Sequence, residues 1–324
     1  MRIIDEPALR QAVTHARAVK VIREAFRADG DGRTRVPPVI NLEIPAQRGE
    51  FHVKTAHIEG VPQIAVKIAS GFPDNAARGL PTGSGLMAVF DAETGMPVAM
   101  LLDNGFLTDI RTGAAGAVAA DVLARTDIEV IGVIGSGIQA RHQVRCLRIV
   151  RDFRHVVAWS PSTDRLRAYC DEMQAEGYDV RAARSADEVC AAADVLITTT
   201  PSHHPIVRAA WLRPGMHLTA VGADSPGKQE LEAACLRRAD VVVADRLSQC
   251  AAFGELSHGL KAGLIEENRV IELGAIVCGR ANARTTNDQI TIADLTGVGF
   301  QDTAIAAAAL ESLIPNPQSR IPNP

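Results

Sequence analysis

The chain has 324 residues, 47% of them hydrophobic and 22% charged, with a formal net charge of −4. That length suggests roughly two domains with sizeable cores, and the mild acidity gives no electrostatic reason to expect nucleic acid or an anionic membrane as partner. Its apolar runs fall short of the roughly 18 residues that a membrane span needs, and the charged start MRIIDEPALRQAV lacks a signal-peptide core.

Residues 1–27 read as one helix with a short lead-in, and 28–35, ADGDGRTR, as a polar loop. Strands follow at VPPVINLEI, EFHVKTAHI and QIAVKIAS. LMAVFDAETGMPVAMLLD reads as a hairpin turning at ETG. This front third is β-rich, without strand–helix alternation. LTDIRTGAAGAVAADVLAR then reads as a helix with Thr108 as N-cap. From residue 129 strands alternate with helical segments: EVIGVIG, HVVAWS, DVRAAR, DVLITTT, HLTAVGA and VVVADR. That alternation predicts an α/β domain with a parallel, doubly wound sheet. QDTAIAAAALESLI reads as a last helix, and PNPQSRIPNP as an extended or frayed tail.

Cys146, Cys170, Cys190, Cys235, Cys250 and Cys278 form no CxxC pair and no metal-ligand spacing. They read as reduced, mostly buried thiols of a cytoplasmic protein. His203 and His204, in SHHP, read as a polar loop, and no metal is expected.

VIGVIGSGIQARHQ carries Gly135, Ser136, Gly137, Ile138, Gln139 and Ala140, a GxGxxA run after a strand and before a helix. The first glycine makes the tight turn. The second lets the backbone approach a pyrophosphate, and the small third residue lets helix and strand pack closely. A bound dinucleotide is expected. The next strand does not end in the acid that favours NAD. It ends in Ser160, with Asp164 four residues on, and Ser160, Ser162, Thr163 and Arg165 could instead face a 2′-phosphate. NAD(H) and NADP(H) both stay open, with a slight lean to NAD.

In QIAVKIAS, alternation puts Ile64, Val66 and Ile68 on one face, and Ala65, Lys67 and Ala69 on the other. Periodicity alone favours an exposed edge-strand lysine; its alanine neighbours would also leave room for a small ligand. Arg111 falls in the first turn of the expected helix, where a cation is unfavourable unless an anion joins it. With the free N–H groups there it would make a carboxylate clamp. Asp224, in VGADSPGK, follows a strand at the carboxyl edge of the sheet. It reads either as a ligand-facing acid or as a helix N-cap, with Lys228 four residues on as a partner or a cofactor contact.

Over nearly its whole length the chain resembles the ornithine cyclodeaminase/mu-crystallin family. AVKIASGFPDN, GLPTGSGLMAVFDAETG, NGFLTDIRTGAAGAVAA, GVIGSGIQARHQ, VGADSPGKQEL and DLTGVGFQD carry the resemblance. It implies a split α+β substrate-binding and dimerisation domain, residues 1–120 plus 301–324, with the Rossmann domain, 121–300, inserted. It implies a homodimer and a small imino or amino acid as substrate. It gives Lys67 the substrate-carboxylate role, reversing the periodicity reading. It gives Arg111 a share in that role and Asp224 the acid/base role. It adds Thr82, Thr112, Thr199, Lys228, Val298 and Gly299 to the cofactor contacts of the fingerprint and Ser160.

Two departures from the family pattern bear on the substrate. Ornithine cyclodeaminases align a carboxylate thirteen residues before the lysine; here that position is Lys54, with His57 expected close by. Asn41 stands where relatives often carry arginine. A site with three cations suits a substrate with two carboxylates. The expected activity is NAD(P)H-dependent reduction of a small α-imino acid, such as iminosuccinate, to an amino acid. The alternatives are a cyclodeaminase of the ornithine type, a diamino-acid or ectoine breakdown enzyme, and a non-catalytic binder of the mu-crystallin kind.

Overall fold

A computed structural model describes residues 1–313, so the tail PNPQSRIPNP lies outside the described residues. The chain divides into two compact units. One comprises Met1–Ala25, Arg33–Arg111 and the chain from Val298; the other comprises Phe26–Gly32 and Thr112–Gly297.

The first unit is built on a seven-stranded sheet. Its strands are β1 (Arg2–Asp5), β2 (Thr34–Arg35), β3 (Ile40–Ile44), β4 (Gly49–Ile58), β5 (Gln63–Gly71), β6 (Gly83–Asp91) and β7 (Pro97–Leu102). They run in the order β1-β7-β6-β5-β4-β2, with β3 also on β4. Only β1 pairs in parallel, on β7; the other pairs are antiparallel. One face of the sheet is small and apolar, with Ala56, Ala65, Val89 and Ala99 all at 2% exposure or less. The C-terminal helix, Gly299–Leu313, packs there. Thr303 Oγ1 donates to the Ala56 carbonyl (2.8 Å) and accepts from the Ala65 amide (3.2 Å). The approach needs Gly299, since a Cβ there would meet the Thr55 carbonyl oxygen at 2.2 Å.

The expected single N-terminal helix is instead β1 followed by α1 (Glu6–Ala12) and α2 (His15–Gly30). Asp5 caps α1 by accepting from the Ala8 amide, and RIID before it adds a strand to β7. The expected loop 28–35 is shortened from both ends, because α2 runs to Gly30 and β2 begins at Thr34. The hairpin at ETG forms between β6 and β7, where the Asp91 carboxylate accepts from the Glu93 and Thr94 amides.

The second unit is an eight-stranded, wholly parallel sheet. Its strands are β8 (Val130–Ile134), β9 (His155–Trp159), β10 (Asp179–Ala182), β11 (Val195–Thr198), β12 (His217–Ala220), β13 (Val241–Ala244), β14 (Val270–Glu272) and β15 (Thr291–Asp294). The order β10-β9-β8-β11-β12-β15-β13-β14 reverses direction beside β8, as in a doubly wound dinucleotide fold. The first six are the strands read from the sequence. β14 and β15 were not: β14 has three residues, and the four-residue TIAD runs straight into a motif read for function. Yet β15 lies inside the sheet, between β12 and β13. All six cysteines are free, five of them buried. Among the described residues no helix is long and apolar enough to cross a membrane.

Candidate active site

Within the first unit, antiparallel register sets Lys54 of β4 directly opposite Lys67 of β5, and Lys67 opposite Met87 of β6. β5 is therefore an interior strand, and the edge-strand reading of Lys67 fails. Lys54 is 5% exposed, and Lys67 and Arg111 are 3% exposed. Buried charges need partners. The partner that the sequence reading missed is Asp302, fully buried, with Oδ1 3.0 Å from Arg111 Nε and Oδ2 3.6 Å from Lys67 Nζ. Asp302 lies in the first turn of the C-terminal helix, where the helix dipole favours a carboxylate. It is the last residue of the motif DLTGVGFQD, and its pairing with Arg111 spans 191 residues, which no local pattern announces. Beside it, Gln301 Oε1 accepts from Arg111 Nη1 at 2.9 Å.

Arg111 is placed otherwise than expected. Helix α3 (Phe106–Leu123) starts two residues before Thr108, which is not its N-cap. The Asp103 carboxylate accepts from the Leu107 amide at 2.8 Å, and burial pushes the Asp103 carboxyl up. Arg111 thus lies in the second turn, past the free N–H groups, and Asp302 and Gln301 orient it instead.

His57 is an odd-numbered neighbour of Lys54 on one strand, so it points to the opposite sheet face and does not join the site. His52 does share the Lys54 face. Asn41 pairs with His52 in register, and its Oδ1 lies 2.6 Å from His52 Nδ1. Glu50 Oε2 lies 3.3 Å from the ring's other nitrogen. Register arithmetic on EFHVK would have found His52. Thr82 is exposed just before β6, and its carbonyl accepts from the Phe72 amide. A cleft of about 480 Å³, lined by Ala46, Gln47, Phe72, Asp74, Asn75 and Arg78, contains none of the clustered cations.

In the second unit the fingerprint has its expected geometry. Gly135 has φ +116°, and a Cβ there would meet Thr199 Oγ1 at 2.4 Å. Gly137 faces open space: a Cβ on it would meet nothing within 4 Å. Helix α4 (Ile138–Val150) starts at Gly137 with no side-chain cap, leaving its first N–H groups to an outside acceptor. Ile138 is 48% exposed at that end, and Ala140 is fully buried under the turn. Gln143, on α4, donates to the Thr112 carbonyl at 3.1 Å. A pyrophosphate fits this cradle. Ser136 and Ser160 are both 8% exposed; Asp164 lies in the first turn of α5 (Thr163–Ala175), which Ser162 caps.

Asp224 follows β12 in a loop, and no helix starts there, so it is not an N-cap. Its Oδ1 accepts from Lys228 Nζ at 2.9 Å, and its side chain keeps 47% exposure. Glu230, unnoticed in the sequence, closes this loop. Its buried carboxylate accepts from Thr198 Oγ1, from Thr200 Oγ1 and the Thr200 amide, and from the Gly222 amide, all within 2.8 Å. Burial pushes the Glu230 carboxyl up. After β15, the Asp245 carboxylate accepts from Thr296 Oγ1 and the Gly297 amide, which fixes the segment leading to Val298 and Gly299.

The family model for the ornithine cyclodeaminase/mu-crystallin family matches residues 7–315. The chain belongs to that family. One relative, an uncharacterized cyclodeaminase of Sinorhizobium fredii, is 43% identical over 96% of this chain and 95% of its own. Among solved structures, the family fold recurs in the Δ1-pyrroline-2-carboxylate reductase of Thermococcus litoralis, in complex with NADH and L-proline. It has a TM-score of 0.93 and 28% identity, over 97% of this chain and 98% of that one. The iminosuccinate reductase of Paracoccus denitrificans, in complex with NAD+, has a TM-score of 0.87 and 31% identity, over 96% of each chain.

Proposed function

We propose that this family member is an NAD(P)-dependent oxidoreductase that reduces a small α-imino acid to an amino acid, with a dicarboxylic imine such as iminosuccinate as substrate and aspartate as product. One observation carries the substrate class: Lys54, Lys67 and Arg111 are buried in the first unit with Asp302. Cations held out of water bind a dicarboxylate better than a substrate bearing a second amine. The name of the Paracoccus denitrificans relative supports the same reading.

The nicotinamide, when bound, supplies the hydride. Gly135, Gly137 and the start of α4 receive its dinucleotide, and NAD is favoured over NADP. Lys67 and Arg111 hold the α-carboxylate, and Lys54 faces the distal one. Asp224, held by Lys228, handles the proton at the imine nitrogen. The protein contributes orientation and charge complementarity. The free, mostly buried thiols support a cytoplasmic setting. The outer face of the first sheet, with Ile40 64%, Leu42 57% and Ile68 36% exposed, supports a homodimer.

The test is oxidation of NADH and NADPH with 2-oxo acids plus ammonia, including oxaloacetate, glyoxylate and pyruvate. Oxidation that needs ammonia and favours oxaloacetate is the expected result. The 43% identical relative named as a cyclodeaminase favours a second reading, deaminating cyclisation of a diamino acid. Turnover of ornithine without added reductant, and no oxidation in the first assay, would establish that reading instead.

A further inference from the structure

We infer that Gln301 is a third donor to the substrate carboxylate, beside Lys67 and Arg111. The inference rests on the reading above only in taking that substrate to be a carboxylate.

Gln301 is fully buried in the first turn of the C-terminal helix. The Arg111 guanidinium can only donate, so the amide oxygen of Gln301 must face it, and Oε1 accepts from Nη1 at 2.9 Å. That fixes the other end of the amide. Gln301 Nε2 is buried and has no hydrogen-bond partner among the described residues. Buried donors are nearly always paired, so this one calls for an acceptor.

That orphaned donor stands beside the cation read above as a carboxylate ligand: Arg111 uses Nε on Asp302 and Nη1 on Gln301. A carboxylate has two oxygens and about four lone-pair sites, so one bound at Arg111 can also accept from Gln301 Nε2. An ammonium or an alkyl group cannot.

The alternative is that Gln301 only holds Arg111, through its oxygen. Two variants separate these roles. Gln301→Glu keeps an acceptor for Arg111 and removes the donor. Gln301→Met removes both at similar length. The readout is calorimetric binding of succinate and of propionate, which cannot react, to the full chain loaded with NAD+. Both variants are expected to weaken both carboxylates about tenfold or more, with NAD+ affinity unchanged within twofold. Wild-type succinate affinity in Gln301→Glu would overturn the inference, because only the contact with Arg111 would then matter. Unchanged affinity in Gln301→Met, or no carboxylate binding by the wild type, would overturn it as well. Carboxylate binding without turnover on any imine would sink the proposed reaction and leave Gln301 as assigned.

Discussion

Lys54 and Lys67 face each other across the β4–β5 pair, both buried. Like charges directly opposite on a sheet are destabilising. Asp302 offsets part of that repulsion at Lys67, and a dianionic ligand would offset more. Lys54→Glu turns this pair into opposite charges. The variant's kcat/KM on the imine of oxaloacetate should fall about 100-fold, the usual scale for one buried charged contact. The imine of pyruvate, with no distal carboxylate, should lose only a few-fold. Equal losses on the two imines would remove the case for a diacid.

Gly135 and Gly137 stand two residues apart and should respond in opposite ways to the same methyl group. At Gly135 the backbone is left-handed and Thr199 Oγ1 occupies the Cβ position, so Gly135→Ala should destabilise the fold by more than about 1 kcal/mol. At Gly137 φ is −83° and the Cβ position is open, so Gly137→Ala should fold at least as well as the wild type. The open space is where a pyrophosphate approaches, so the same variant should bind NADH at least tenfold more weakly. Thermal melts and NADH fluorescence titration read the two effects separately.

Asp224 is half exposed, and its ionic partner Lys228 comes from its own loop. Glu230, by contrast, anchors the loop from within the core. Asp224→Asn should therefore keep the melting temperature and NADH affinity. It should lose about 10²- to 10⁴-fold in kcat, the range for one proton-transfer group. Turnover preserved within a few-fold would take the proton role away from Asp224.

The sequence was most legible where a rule acts locally. Period-2 alternation located β4 to β7, and the glycine spacing of the fingerprint located the β8–α4 turn. It was least legible where register or a distant partner decides. Lys67 looked like an edge charge because one strand does not reveal its neighbours; β4 and β6 flank it. Asp302 stands 191 residues from Arg111, and nothing near either residue announces their pairing. Thr108 was misread as a cap because Asp103, five residues earlier, takes the amide of Leu107. β15 escaped because four fully buried residues carry no alternation.

His217 sets a pH dependence of stability that can be isolated from the rest. It lies in β12, wholly buried, with its ring nitrogens 2.9 Å from Thr291 Oγ1 and Thr219 Oγ1. Burial, aided by the Arg284 charge, pulls its pKa down from 6.5 to about 3. The folded protein keeps this ring neutral while the unfolded chain protonates it below 6.5. Its contribution is thus fully present above pH 6.5 and is lost as pH falls toward about 3. The loss amounts to about 5 kcal/mol across the window. Asp294 acts oppositely over nearly the same range: burial raises its carboxyl to about 7, so it destabilises the fold as pH rises from 3.8. The wild-type profile alone therefore blurs the two. Comparison with His217→Gln, which can still bond both hydroxyls, cancels Asp294. The variant should gain on the wild type steadily as pH drops from 6.5 to 4 in urea titrations. A constant difference between the two proteins across that range would mean that His217 protonates in the folded state as readily as in the unfolded chain.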